Sequence, residues 1–309
     1  LYGTDKVSLA DRHNCVKIEC ARDFLFNKTD VSSDKGTIII SDPEYDVRER
    51  IIEPKITGKS DREHERALKL DVNEIEPLPF SRVEAYRISS RIGGELYSGS
   101  YATKQVILSA RGYENIHIAT HGYFDVDSEY ASLYTSCLVF AGVKNWYRTG
   151  VTSPTYGSGL LTADEGSRLD LSSTKLIVLS SCLSGMNDVL FNSGFYGMVS
   201  ALSAAGAKYV ISNLWSANDF ASAVFMDAFY YYYANGWNEP PIALSKARDY
   251  LRNVTIDELR RQGWFHPSTY QMLDTESRNF LYSLENKNGR LKPFRNEAFW
   301  GGFTCYQCH

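Results

Sequence analysis

The sequence predicts an α/β fold in which a doubly wound, mostly parallel sheet is flanked by helices on both faces. Two observations lead there. Strand-length apolar runs recur along the chain, at Ile116–Thr120, Leu138–Ala141, Lys175–Leu179, Tyr209–Ser212 and Phe299–Tyr306, and they are continuous rather than alternating. Segments with helical spacing lie between them, as crossover helices lie between parallel strands covered on both faces.

In chain order, residues 1–35 are polar, with apolar pieces at Val16-Lys17-Ile18 and Phe24-Leu25-Phe26, and read as a lead-in to a domain spanning 36–309. Thr37–Ile40 is a β-branched run halted by Asp42-Pro43, a buried strand entering a turn. From Glu44 to Pro79 charges of alternating sign dominate, among them Arg48, Glu49, Arg50, Lys55, Asp61, Arg62 and Glu63. That composition predicts a solvated insertion at about 44–79, either a plain polar loop or a processing site. Val83, Tyr86, Ile88 and Ile92 fall at helical spacing until Gly93-Gly94 breaks it; Glu95–Tyr97 is strand-like, and Ser100 is placed to cap a helix ending at Ala110. Gly194–Ala205 carries small residues at helical spacing, and Ser216–Ala234 opens on Ser-x-x-Asp with Gly236 just past its end. Pro240-Pro241 opens a further helix bearing Ile242, Leu244, Ala247 and Leu251.

Composition bounds the partners. The 309 residues hold 33 basic and 37 acidic side chains, a formal net charge of −4 with a pI near 5.9, so no net positive field gathers phosphate and nucleic acid is a poor partner. No run of 18 apolar residues is present, which argues against a membrane span. The six cysteines (15, 20, 137, 182, 305 and 308) lie in dissimilar contexts, unlike a disulfide framework, and favour a reducing cytoplasm. The chain starts Leu1-Tyr2-Gly3, without an initiator Met or a leader, and reads as a piece of a longer protein.

Doubly wound sheets bind ligands just outside the carboxyl ends of their strands. There, the strand at 116–120 is followed by His121-Gly122, and the strand at 175–179 by Ser180-Ser181-Cys182. If these strands are parallel neighbours, an imidazole and a thiol meet at one edge of the sheet, and the imidazole can take the thiol proton to make a nucleophilic thiolate. Gly122 lets the backbone turn tightly and brings its N–H to a developing oxyanion, with the Cys182 N–H as second donor. Each residue alone has a plainer reading, because free cysteines are commonly buried and inert and a strand-end histidine is often structural. The paired placement is what argues for chemistry.

Ala119-Thr120-His121-Gly122-Tyr123-Phe124, Gly159-Leu160-Leu161-Thr162-Ala163 with Leu169-Asp170-Leu171, Val178-Leu179-Ser180-Ser181-Cys182, and Ile211-Ser212-Asn213-Leu214-Trp215, in that order, resemble the CHAT domain. That family comprises caspase-like (clan CD) cysteine peptidases, often linked to tetratricopeptide repeats and related to separase and metacaspases. The resemblance runs from about Leu9 to the C-terminus: Leu9-Ala10-Asp11-Arg12-His13 and Ala21-Arg22-Asp23 are similar to the family lead-in, and Ile40-Ser41-Asp42-Pro43 to its first core strand. It implies a caspase-like fold and a Cys-His dyad that hydrolyses peptide bonds with no metal or cofactor: His121 as general base, Cys182 as nucleophile, Gly122 and Cys182 as oxyanion donors. Ser181 departs from the alanine the family often places before the cysteine, and Cys182-Leu183-Ser184-Gly185 is closer to the Cys-x-Ser-Gly of metacaspases and separase.

Substrate preference follows from the same resemblance. Metacaspases carry an acid two positions before the cysteine, where this chain has the neutral Ser180; separase-like proteins carry one after the Asn-Leu-Trp strand, where this chain has Asp219. Asp219 either selects Arg or Lys through charge-assisted hydrogen bonds or simply favours the dipole of its own helix, and Trp215 is either a pocket wall or core packing. Asp125, Asp127 and Glu129 are further acids placed to line the cleft. Cys305-Tyr306-Gln307-Cys308-His309 has the spacing of haem attachment or half a zinc site, but the resemblance makes this stretch a terminal core strand. The Tyr230–Tyr233 run, with no basic surround, reads as packing plus solvent-facing hydroxyls.

The chain therefore reads as a caspase-like cysteine endopeptidase of a cytoplasmic protein. Residues 1–35 would be the tail of a preceding or pseudo-protease region. Its partners would be a protein substrate and a regulatory protein or TPR region, with a CRISPR-type effector in prokaryotic defence as one such regulator. A catalytically silent caspase-like scaffold and a cysteine hydrolase of small amides remain alternatives.

Overall fold

In the computed structural model the chain is described over residues 17–18, 33–47, 70–124, 135–180, 182–184, 196–215 and 218–308. Seven strands make the main sheet, in the order β1 (Lys17–Ile18), β11 (Phe303–Gln307), β10 (Tyr209–Asn213), β8 (Leu176–Leu179), β4 (Tyr113–Ala119), β2 (Lys35–Pro43), β3 (Glu95–Gly99). The pairs β1–β11, β10–β8, β8–β4, β4–β2 and β2–β3 are all parallel. Consecutive residues Ile38, Ile39 and Ile40, and all of Leu176–Leu179, are buried, which is what continuous rather than alternating runs require. The mostly parallel sheet flanked by helices is thus the fold class the apolar runs predict.

The described residues divide into two compact units. One comprises Lys17–Pro77, Gly94–Ser216 and Tyr306–His309, and holds the sheet with helices α2 (Lys104–Leu108), α3 (Val143–Thr149), α4 (Ala163–Ser167) and α5 (Tyr196–Ala204). Ile38, Ile40, Ile116, Ile118, Ile177 and Leu179 pack there with Ile107, Ala163, Met198 and Leu202 from three of those helices. The second unit comprises Leu78–Gly93 and Ala217–Cys305, with helices α1 (Pro79–Ile92), α6 (Asp219–Ala234), α7 (Pro240–Asn253), α8 (Ile256–Arg261), α9 (Pro267–Met272) and α10 (Thr275–Glu285). Helix α6 packs against α1 and α7, and Phe220 meets Phe80, Trp264 and Phe294 at ring separations of 4.9, 5.4 and 5.7 Å. Among the described residues, no helix is long and apolar enough to cross a membrane.

Several boundaries differ from the sequence reading. The run at Leu138–Ala141 gives β6 (Ser136–Val139), which lies outside the main sheet in a four-stranded one ordered β7 (Leu160–Thr162), β6, β5 (His121–Phe124), β9 (Cys182–Ser184). It pairs antiparallel with β5 and β7, because the continuation of β4 past its own end offers it a free edge. Ser100 caps nothing helical: Gly99 at φ +60° and the bonds Tyr101 N–H to Ser98 O and Ala102 N–H to Gly99 O make a turn, and α2 begins only at Lys104. Ser216 lies outside the described residues, and Asn218 caps α6, its side chain accepting from the Ala221 N–H at 3.0 Å. The C-terminal run opens as a 3-10 turn at Glu297–Phe299 and becomes strand only from Phe303. The tyrosine run divides as helical geometry demands, with Tyr230 and Tyr233 buried and Tyr231 exposed. Of the 44–79 stretch, residues 48–69 lie outside the described residues, as does most of the 1–35 lead-in; Tyr45, Leu70 and Ile75 are buried in one cluster with Val139, Trp146 and Leu160.

Helix α1 is fastened to α6 by charge. Asp227, with 4% of its side chain exposed, accepts from Arg87 Nη2 at 3.0 Å and from Arg91 Nε and Nη2 at 2.5 and 2.9 Å, while the Arg87 guanidinium lies 4.1 Å from the Trp264 ring centre. Removing the carboxylate strands two cations that reach water only partly. Asp227→Ala is expected to lose about 3 kcal/mol, the lower end of the cost of breaking a buried ion pair, and chemical denaturation followed by circular dichroism measures it.

Candidate active site

Strands β4 and β8 are neighbours, with Ile118 in register with Leu179. Both break at the same level and resume as β5 and β9 in the second sheet, where His121 is in register with Cys182, Gly122 with Leu183 and Tyr123 with Ser184. The offset is 61 residues on either side of the break, since 179 − 118 and 182 − 121 are equal. The backbones that carry the imidazole and the cysteine are therefore adjacent rungs of one parallel ladder. The Cys182 thiol lies outside what the structure describes, as do Ser181, Gly185, Asp125, Asp127 and Glu129.

The break at Thr120 is stabilised from within. This residue has no exposed surface; its hydroxyl donates to the Val139 carbonyl and also meets the Tyr45 hydroxyl at 3.1 Å. His121 follows, 8% exposed, with Nε2 at 2.6 Å from the Glu76 carbonyl and its ring 5.4 Å from that of Tyr45 at an interplanar angle of 47°. A carbonyl only accepts, so Nε2 carries the hydrogen and Nδ1 of the neutral ring keeps its lone pair. Among the described residues nothing hydrogen-bonds to Nδ1, although it is buried. Burial depresses the His121 pKa below the ordinary 6.5, with Lys144 adding to the effect and the Glu76 carbonyl opposing it. The site thus holds a neutral imidazole whose Nδ1 has no hydrogen-bond partner among the described residues.

Gly122 sits mid-sheet, between Leu138 of β6 and Leu183 of β9. Ser180 closes the end of β8, its N–H donating to Ile118 O at 2.9 Å and its Oγ buried without a partner among the described residues. Trp215 is half-buried in the bend after β10. Asp219, in the other unit, accepts the Phe80 N–H at 2.9 Å, so its carboxylate caps the first turn of α1 while standing in the first turn of α6. The structure brings His121, Gly122 and Cys182 together on β5 and β9. Cys305 and Cys308 are buried at the end of β11, and among the described residues no cluster of ligating side chains could hold a metal ion.

The Gly-Leu-Leu-Thr-Ala stretch supports the small sheet. Gly159 has φ +72°, and a Cβ there would lie 2.6 Å from Val143 N, so only glycine fits. Thr162 and Glu165 form a capping box at the start of α4, with bonds of 3.2 and 3.1 Å. The buried Lys104 ammonium joins Leu160 O at 2.9 Å to Glu165 Oε1 at 2.8 Å, which anchors β7 to α4. Sequence reasoning missed Lys104, Glu76 and Tyr45. The capping box was visible in Thr162-x-x-Glu165, but Glu76 contributes only a backbone carbonyl, which no residue type announces.

The family model of the CHAT domain matches residues 9–307, and the chain belongs to that family. It is 30% identical over 182 residues to tetratricopeptide repeat protein 28 of Mus musculus, and 30% identical over 179 residues to the protein of the same name from Homo sapiens, each match covering 52% of this chain. The chain spans about 7% of the length of these curated relatives. Among solved structures, the Arg-specific cysteine proteinase gingipain R is similar at 10% identity and a TM-score of 0.38, over 89% of this chain and 46% of that one.

A depressed histidine pKa has a signed consequence for stability. Between the folded-state value and 6.5 the unfolded chain binds more protons than the native one, so His121 contributes stability in full above 6.5 and loses it as pH falls through the folded value. Histidine-resolved NMR is expected to show His121 titrating below 6.5, and wild type should lose stability on acidification more steeply than His121→Gln.

Proposed function

We propose that this chain is a cysteine endopeptidase that cleaves a protein substrate with His121 as general base and Cys182 as nucleophile. The observation that carries the reading is the register pairing of His121 with Cys182. Neighbouring strands lie about 4.8 Å apart, a separation at which an imidazole and a thiol on paired rungs reach each other. The neutral ring with Nδ1 unoccupied supplies the proton acceptor. In the reaction, Nδ1 takes the thiol proton, the sulfur attacks the scissile carbonyl, and the imidazolium gives its proton to the leaving amine; the same nitrogen then activates water, whose attack releases the acyl group from sulfur. The N–H groups of Gly122 and Cys182 stabilise the oxyanion in both halves.

A preference for Arg or Lys before the cut, for which Asp219, Ser180 and Trp215 are the candidate residues, is the finer part of the reading. Membership of the CHAT family, together with relatives named for tetratricopeptide repeats, supports a regulatory input through a TPR region or another protein, of which a CRISPR-type effector in defence is one kind. The cytoplasm, with its reducing thiol chemistry, is the compartment this reading assigns.

Cys182→Ala is expected to lower cleavage of a peptide library by more than about 10³-fold, as loss of a catalytic nucleophile does, with the fold retained; a peptide acyloxymethyl ketone should label wild type at Cys182 alone. Unchanged proteolysis in Cys182→Ala sinks the assignment, and a folded wild type that neither cuts nor labels leaves the scaffold. Labelling without peptide cleavage points to a small-amide hydrolase. Asp219→Asn keeps an acceptor for the Phe80 N–H while removing the charge, so it is expected to relax selection for Arg and Lys with no loss of folding; unchanged selectivity would reduce Asp219 to a helix cap.

A further inference from the structure

We propose that Tyr45 is a positioning residue for the catalytic base, its ring and hydroxyl together holding the His121 imidazole in the orientation and tautomer that leave Nδ1 as proton acceptor. The inference rests on the reading of His121 as general base and names what that base depends on.

Tyr45 is itself tied down. It is 4% exposed, its carbonyl accepts the Lys144 N–H at 3.0 Å, and the preceding Glu44 donates its N–H to Gly99 O at 3.0 Å and accepts the Gly142 N–H at 3.1 Å. The far end of the side chain is tied too. The single hydrogen of the Thr120 hydroxyl goes to the Val139 carbonyl, so in the 3.1 Å contact between the two hydroxyls Tyr45 is the donor and Thr120 Oγ1 the acceptor. A ring pinned at the backbone and at its hydroxyl is a fixed wall, and the residue it is tied to immediately precedes His121.

The geometry against His121 is that of a tilted aromatic pair, with centroids 5.4 Å apart and planes at 47°. A half-turn of the imidazole about its Cβ–Cγ bond would put Cε1 in place of Nε2 at the Glu76 carbonyl, now 2.6 Å from Nε2, so that bond opposes the flip, while the tyrosine ring limits tilting of the imidazole out of its present plane. The Glu76 carbonyl fixes one nitrogen; the wall holds the plane of the ring against that carbonyl and keeps water from one face of it. Glu76 and Lys144 are the charged residues that act on the imidazole, Glu76 favouring its protonated form and Lys144 opposing it, and Cys182 is its ladder partner. Tyr45 shifts the balance through exclusion of water rather than charge.

Histidine-labelled NMR, with His121 assigned by loss of its signals in His121→Gln, reads tautomer and titration midpoint without reference to catalysis. Wild type is expected to hold the Nε2–H tautomer and to titrate below 6.5. Tyr45→Leu should populate both tautomers, move the midpoint back towards 6.5 and lower kcat about tenfold, as small misplacements of catalytic groups do, with KM unchanged. Tyr45→Phe, which keeps the ring and drops the tie, should move the same quantities part of the way. Adding Tyr45→Phe to Thr120→Val should change nothing beyond Thr120→Val alone, since the same bond is already gone.

The proposal is overturned if Tyr45→Leu is folded and leaves the tautomer and midpoint of His121 as in wild type. Should that variant not fold, Tyr45→Phe with an unaltered His121 signal, or additive effects in the pair with Thr120→Val, overturns it instead. A wild type that cuts no peptide while its His121 tautomer follows the Tyr45 substitutions would retire the peptidase reading and keep the positioning one.

Discussion

Strands β4 and β8 stop together and start again together, and the candidate chemistry depends on that shared interruption. A parallel ladder fixes register by backbone bonds, so when both strands cross from the main sheet into the small one with the same offset, residues far apart in sequence arrive on the same rung without a dedicated contact. Everything around the interruption serves to keep it in place. The Thr120 hydroxyl occupies the Val139 carbonyl at the break, β6 and β7 extend the new sheet away from β5, and Lys104 and Gly159 hold the outermost strand.

The His121 imidazole is held by neutral groups more than by charged ones. A carboxylate on Nε2 would fix the same tautomer while raising the imidazole pKa, as an opposite charge does. A backbone carbonyl fixes the tautomer with a weaker pull on the proton, and burial then carries the pKa downward. In the second unit the reverse strategy operates, with full charges paired at Asp227 and helix termini neutralised by Asn218 and Asp219. One unit uses electrostatics to join helices; the other keeps charge off a nitrogen.

The central strands of the main sheet were readable because their cores, such as Ile38–Ile40 and Leu176–Leu179, are continuous apolar runs, which burial on both faces imposes. The positions of His121 and Cys182 followed from it, as the first residues with chemistry after two such runs. The small sheet was not readable as such. Its strands are three or four residues long, too short for a period to establish itself, and Leu138 and Val139 are as apolar as any strand of the main sheet. Asp219 shows a different limit: its residue type and place in α6 suited both a pocket and a helix start, and the partner it has, the Phe80 amide, lies 139 residues away. Ser100 was misread because a glycine turn intervened, which hydrophobic spacing does not register.

The Glu76 carbonyl carries one more implication. Since the bond to His121 engages only main chain, position 76 imposes no demand on its own side chain, and a Lys, a Ser or a Pro there would present the same oxygen. What the site depends on is the step from the buried Ile75 to position 76, since a residue gained or lost there would slide a different carbonyl beneath the imidazole. The identity of the side chain at 76 is thus immaterial to this contact, whereas the position of its main chain is not.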